Sequence, residues 1–479
     1  MTGTQETSMK HGAQQKAAWI FLLTLLAFSA ITRAKIVGAD NPKAYTEHDY
    51  RKQLLDFNLR TLVEQYKQVG HHDPKWDDDA TKFLAGIARH FTNGGAQNRY
   101  RLPDSRALAD LVKQARQVVK NGCDDPLVLD MFSVVLLDSR EMEEYRPIAR
   151  QAADALVNSQ YSVARGTNSA RRALRNTDAK SEKDLYERYD QSIFDGDLAI
   201  IGFSDFPESD RRFVLQNMEQ ELQRWPLPRV KSFYESAKAG KGDIWLIDMI
   251  GGEYHIRAAW AARGSGWANT VTPEGWRKFE EEIAAAHKCL NDAYNVVPAF
   301  PEAATKMLTV AMAESDRDGL RKWFDRATEA QLDYMPAYKS YLYAIYPRWL
   351  GNYPEMYSFA LECAATGRYD TCVPYFYLDA LTEIRNDMGG NWHYFQLPSS
   401  WERIVDVLSN YAEHDAAIGD REYYYSQLIG YAWQLAKYTD GLAALDKIDG
   451  KYDLKGMSFT PSLPVRTHRG AVAFKGPSA

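Results

Sequence analysis

Cysteine is scarce in this chain: four thiols in 479 residues (Cys123, Cys289, Cys363 and Cys372), with no two in a C-x-x-C pair. So few and so scattered, they exclude a disulfide scaffold and give no spacing for structural zinc or thioredoxin-like chemistry. Buried free thiols are the ordinary use of such residues. One bridge stays open for an oxidising compartment, between Cys363 and Cys372 across an apparent turn. Long basic runs are missing too. The 58 Lys and Arg stand against 64 Asp and Glu, a net charge of −6, without the electrostatic footprint of a nucleic-acid binder. After residue 45, alternating strand-like runs bounded by hairpin turns are hard to find. What is present, 45% hydrophobic, 25% charged and 13% aromatic residues, is the balance of a folded soluble protein.

One long apolar run exists, Ala17–Ile31, preceded by Lys10 and Lys16 and followed by Thr32-Arg33-Ala34. This is the form of a secretory signal with cleavage between Ala30 and Ala34. Its core, Trp19–Ala30, is shorter than the ~20 residues a membrane-spanning helix needs. The alternatives are an uncleaved anchor over residues 17–31 and an ordinary buried helix. The expected location is exported, periplasmic or secreted, with membrane contact only through this segment if it is retained. Residues 1–34 carry a net +2, so removing them leaves −8. No later run is apolar enough to span a bilayer.

The remaining spacing is helical. Phe213, Val214, Met218, Leu222 and Trp225 define one amphipathic helix, with acids near its start and Pro226 stopping it. Starts are marked by Asp104 after Pro103, by Thr272 before Pro273 and Glu274, and by Ser399 with Glu402 three residues on. Gly264, Pro347 and Gly389-Gly390 mark stops. Short helices joined by short turns favour a helical array over an α/β enzyme.

The helices also repeat. Leu290 and Phe324, and Ala293 and Ala327, lie 34 residues apart, which is the tetratricopeptide period. Looser copies run from Phe359 to Tyr375, from Leu428 to Ile448 and around Ala115–Pro126. The expected fold is therefore all-α: a tetratricopeptide-like right-handed superhelix, or α-solenoid, of antiparallel helix pairs. Its divisions are a signal peptide (1–34), an N-terminal helical region (35–160), a polar and basic loop or insertion (161–205), the repeat domain (206–450) and a C-terminal tail (451–479). The loop is expected because Arg165, Arg171, Arg172 and Arg175 crowd one stretch and residues 176–182 are polar.

The stretch from Gly252 through His255, Arg257, Trp260, Arg263 and Trp267 to Thr272 resembles a segment of uncharacterised bacterial exported proteins that carry tetratricopeptide-like helices and a domain of unknown function. Trp276 with Phe279, Pro301-Glu302-Ala303-Ala304, Trp323–Ala327, Pro347-Arg348-Trp349 and Glu355-Met356 follow in the same order, so the likeness covers about residues 243–380. It implies the helical fold and no reaction, because the family offers no catalytic residues to carry over.

Candidate chemistry is sparse. Arg257, Trp260 and Arg263 follow His255 at helical spacing, and the loop 264–270 with Trp267 could fold over them to hold an anionic or carboxylate group; a glycine-capped helix end over packed aromatics is the plainer alternative. Gly264-Ser265-Gly266 is neither a nucleotide loop nor a nucleophile elbow. His71, His72, His90 and the nearby acids fit a solvated helix start better than a metal site. Tyr338, Trp349 and Trp392 stand for a rich aromatic set that in helical arrays serves both the core and a binding groove. No cofactor, metal or catalytic set emerges. The expected function is a scaffold binding a protein or peptide partner, with an enzyme acting on glycans or peptides as the alternative.

Overall fold

The computed structural model describes residues 35–93, 105–203, 206–414 and 421–453, together with the backbone of a short antiparallel pairing of Thr467–His468 with Ala471–Val472. The leader, the start signal at Asp104 and most of the tail lie outside the described residues. Apart from that pairing, the described chain is helices and their connections, so the protein is all-α.

The first helices are α1 (Glu47–Leu59), continued by a π turn into α2 (Gln65–Val69), then α3 (Asp77–Asn93), α4 (Ser105–Lys120), α5 (Pro126–Asp138) and α6 (Met142–Val157). Next come α7 (Val163–Leu174), α8 (Lys183–Gly202), α9 (Asp210–Arg224), α10 (Leu227–Gly240) and α11 (Ile244–Arg263). The array continues with α12 (Pro273–Val296), α13 (Pro301–Ala313), α14 (Arg317–Ala330), α15 (Met335–Ala344), α16 (Tyr353–Ala364) and α17 (Phe376–Asp387). It ends with α18 (His393–Gln396), α19 (Pro398–Glu413), α20 (Arg421–Gln434) and α21 (Tyr438–Asp446).

Most helices pack on the next in sequence, and several also pack on the next but one: α9 on α11, α11 on α13 and α13 on α15. That pattern is repeat-like. The two segments in 34-residue register hold equivalent places, since Leu290 and Phe324, Ala293 and Ala327, and Ala303 and Ala337 are all fully buried. Small residues recur where helices cross closely. A Cβ on Gly251 or Gly252 would strike the Tyr234 ring or the Leu290 side chain, so glycine inside α11 lets α12 lie close despite its helix-propensity cost. Two cores result, one built from residues 62–161 and a larger one that runs from Ala153 to Ile448 and includes Ile36.

Several boundary signals hold. Thr272 caps α12 by accepting from Gly275 N–H at 3.0 Å, Gly264 ends α11 at φ +75, and Gly389 and Gly390 follow α17 at φ +68 and +90. Ser399 is not a cap, because α19 begins at Pro398 and the capping position falls on Leu397. Cys363 and Cys372 are free thiols, Cys363 fully buried.

The expected loop over 161–205 is instead two packed helices, α7 and α8. Gly166, Ser169, Ala170 and Ala173 form the close-packing side of α7. Two of its arginines are held by acids remote in sequence: the buried Arg171 pairs with Asp197, and the partly buried Arg172 donates through Nε to Asp130 Oδ1 at 2.9 Å. Ser169 Oγ adds a bond to the same carboxylate at 2.7 Å. A buried charge is tolerable only with such partners, and hydropathy alone does not reveal them.

Candidate functional site

The residues singled out in sequence separate in space. His255 turns to α12, where Nδ1 lies 2.6 Å from Glu282 Oε2. Arg257 turns the other way and donates to the carbonyls of Leu222 and Trp225, the latter at 2.9 Å; a cation at the C-terminus of α9 stabilises that helix end. Neither residue lines the cleft described next. Tyr338 belongs to the core: it is fully buried and its hydroxyl donates to Leu332 C=O at 2.6 Å. Trp392 packs on Phe395 at 4.8 Å under the Arg385 guanidinium at 4.4 Å.

Trp260, Arg263 and Trp349 do come together. They line a cleft of about 790 Å³ walled by alternate helices α11, α13, α15 and α17, a volume in the range of small-molecule and peptide-anchor sites. Helical spacing aims each wall: Leu308, Thr309 and Met312 on α13, Lys339, Ser340 and Tyr343 on α15, Asp379, Thr382 and Glu383 on α17. Phe376 and Leu342 supply apolar lining.

The aromatic part of the cleft is braced from behind. Trp260 meets Phe279 edge-on at 5.2 Å and Trp349 at 5.7 Å, and Tyr343 lies 6.0 Å from Trp349. The indole N–H of Trp349 is shielded from solvent and finds no acceptor, which leaves a buried donor unsatisfied at a cost of about 1–3 kcal/mol. At the mouth, Arg263 Nη1 donates to the carbonyls of Gly264 and Gly266 at 3.1 and 3.0 Å while its guanidinium lies over the Trp260 and Trp276 rings. It therefore holds the loop rather than standing free. Trp267, on that loop, is 82% exposed.

Both signs of charge line the cleft, Arg263 and Lys339 against Asp379 and Glu383. Tyr346 donates to Glu383 Oε2 at 2.9 Å; burial, then the Glu383 contact, pushes its phenol up from the ordinary range, so it stays a donor. Sequence reading missed Lys339, Asp379, Thr382 and Glu383. The signal was there in part, since Asp379 and Glu383 sit one turn apart beside Leu378 and Leu381, but their shared wall needs α17 placed against α15.

Among the described residues no group of three His, Cys, Asp or Glu could hold a metal ion. His71, His72 and His90 are spread over separate contacts with Asp124, Asp77 and Asp138. No described helix is long and apolar enough to cross a membrane. No protein-family model matches the chain, and no curated protein matches it either.

Proposed function

We propose that this chain is an exported helical-repeat binding protein whose α11–α13–α15–α17 cleft receives an extended peptide segment of a protein partner. The observation that carries it is the cleft itself: four alternate helices present aromatic rings and both signs of charge to one space. Aromatic anchors with a few polar groups are the chemistry of peptide and protein hot spots. The next-but-one packing and the 34-residue register support a right-handed tetratricopeptide-like superhelix as the frame. Export rests on the composition of residues 1–34, and the resemblance over residues 243–380 to exported bacterial proteins of that architecture agrees with it.

A second reading, an enzyme acting on glycans or peptides, is favoured by one feature: Asp379 and Glu383 both line the cleft, and paired carboxylates serve glycosidic cleavage. Against it, one oxygen of Glu383 is committed to Tyr346.

Selection of random displayed peptides on the chain from Lys35 onward tests the proposal. Enriched peptides should lose roughly tenfold or more in affinity on Tyr343→Ala, with the far-ultraviolet spectrum unchanged. Failure to enrich any peptide, or binding indifferent to Tyr343, sinks the binding reading. Cleavage of oligosaccharides or peptides abolished by Asp379→Asn would establish the second.

A further inference from the structure

Among the described residues three arginines are buried: Arg165, 7% exposed, and Arg171 and Arg212, each 4%. Two of them end on carboxylates, Arg171 on Asp197 and Arg212 on Glu302. Arg165, in the first turn of α7, ends on none. Its guanidinium has neither a hydrogen-bond nor an ion-pair partner among the described residues.

The groups that it faces are already spent. They are Arg172 from its own helix, Asp130 from α5 and Tyr161 just before α7. Asp130 accepts from Ser169 Oγ at 2.7 Å and from Arg172 Nε at 2.9 Å on one oxygen, and pairs with Arg172 again through the other. The Tyr161 hydroxyl donates to Asp125 Oδ2 at 2.9 Å, and Asp125 also accepts from the N–H groups of His71, Leu127 and Val128.

Arg165 stays charged in this setting. Burial pulls its guanidinium down, and Arg172 adds to that, but only to about 10. Its place at the start of α7 makes the charge costlier, since the N-terminal end of a helix is positive. The capping residue Ser162 brings no relief, because its hydroxyl turns to Gln65 Oε1 at 3.3 Å. A buried cation without a counter-charge is among the least tolerable groups in a protein interior.

The group is also reachable. Arg150, Arg171 and Arg229 each carry an Nε sealed from solvent without a partner. No nitrogen of Arg165 is sealed in that way, so the small exposure the residue keeps reaches its guanidinium. The fork of N–H donors therefore stands at a narrow opening, too closed for full hydration and open to a small ion.

We propose that the Arg165 guanidinium, at the start of α7 beside Asp130 and Tyr161, is a binding site for a small inorganic anion. Chloride and inorganic phosphate share the needed chemistry, a compact negative charge offered to a planar fork of donors. The positive end of α7 favours the same sign, and Asp130 does not oppose it because Arg172 neutralises that carboxylate. The anion does for Arg165 what Asp197 does for Arg171 and Glu302 for Arg212. This site lies outside the α11–α13–α15–α17 cleft and stands whether or not the cleft binds peptides.

Urea unfolding of the full chain tests it in sodium chloride, sodium phosphate and sodium gluconate at one ionic strength, gluconate being too bulky for the opening. An ion that binds only the folded state raises the folding constant about tenfold for each tenfold increase above its dissociation constant. Phosphate also stabilises proteins non-specifically, so the reading is the difference between wild type and Arg165→Met. Wild type should gain over gluconate in chloride, phosphate or both, and the variant should show no gain beyond the non-specific one. In gluconate the variant should unfold at higher urea than wild type, because it no longer buries an unpaired charge. Equal salt responses in the two proteins overturn the site. Arg165→Gln repeats the comparison if the methionine variant does not fold; failure of both in gluconate would mean that Arg165 holds the protein together through its own contacts, and overturns the site as well.

Discussion

Arg212 Nε lies 2.6 Å from Glu302 Oε1, with the two side chains only 3% and 11% exposed. The guanidinium also donates to Gln331 at 2.8 Å and lies over the Tyr50 ring at 4.7 Å. One cation thus ties α9 to α1, α13 and the α14–α15 connection, joining the N-terminal helix to the repeat. Glu302 Oε2 has no partner of its own, so its charge depends on Arg212.

Arg212→Met should therefore cost about 3–5 kcal/mol, because it leaves a buried carboxylate uncompensated. Arg212→Met combined with Glu302→Leu should recover most of that loss. Urea unfolding of the two single variants and the pair measures the coupling; additive losses would place Arg212 outside the energetic network that its distances describe.

Gly252 makes a second test of packing. A Cβ at this position would overlap the Leu290 side chain, and Leu290 is fully buried where α12 crosses α11. Although alanine is the better helix former, Gly252→Ala should destabilise by about 1–3 kcal/mol through overpacking. Gly240, beside which a Cβ meets nothing, is the control: Gly240→Ala should change stability by no more than about 1 kcal/mol. Thermal melts of both variants compare the two positions directly.

Helix existence, the main stops and the 34-residue register were readable because each depends on local spacing: Trp225 before Pro226, Gly264 after Arg263, Leu290 matched by Phe324. What escaped depends on contacts remote in sequence. The arginines of α7 read as a solvated loop because Asp130 and Asp197, which neutralise them, are not neighbours in the chain. Tyr338 and Tyr343 look alike as members of one aromatic run, yet one is fully buried and the other 44% exposed. Of the candidate cluster on α11, helical rotation sends Arg257 to α9 and His255 to α12, leaving Trp260 and Arg263 for the cleft.

Asp248 gives stability a pH dependence of its own. Burial and the neighbouring Asp292 push its carboxyl up to about 6, while Lys288 and Lys238 oppose them. Because the folded-state value is raised, the folded state holds the proton more tightly, and stability falls as pH rises from about 4 to about 6. The group is only half-buried, so solvent screening trims the effect to about 1–2 kcal/mol. Asp248→Asn should accordingly raise the melting temperature at about pH 8 and leave it unchanged near about pH 4. An equal shift at both pH values would separate the gain from ionisation.

Trp267 and Trp349 should respond in opposite ways to the same truncation. Trp349 is packed between Trp260 and Tyr343, so Trp349→Ala opens a void in the cleft wall and should cost about 3–5 kcal/mol. Trp267 is 82% exposed on a loop whose order comes from elsewhere: Arg263 holds Gly264 and Gly266, and Thr270 donates to Trp267 C=O at 2.7 Å through its hydroxyl. Its indole therefore contributes little to folding, and Trp267→Ala should stay within about 0.5 kcal/mol of wild type. A large aromatic held out to solvent by an ordered loop at a cleft mouth has the properties of an interface anchor. With a selected peptide in hand, Trp267→Ala should weaken capture while the urea midpoint stays in place. A matching loss of stability would make Trp267 a folding residue instead, and unchanged capture would confine the binding surface to the cleft interior.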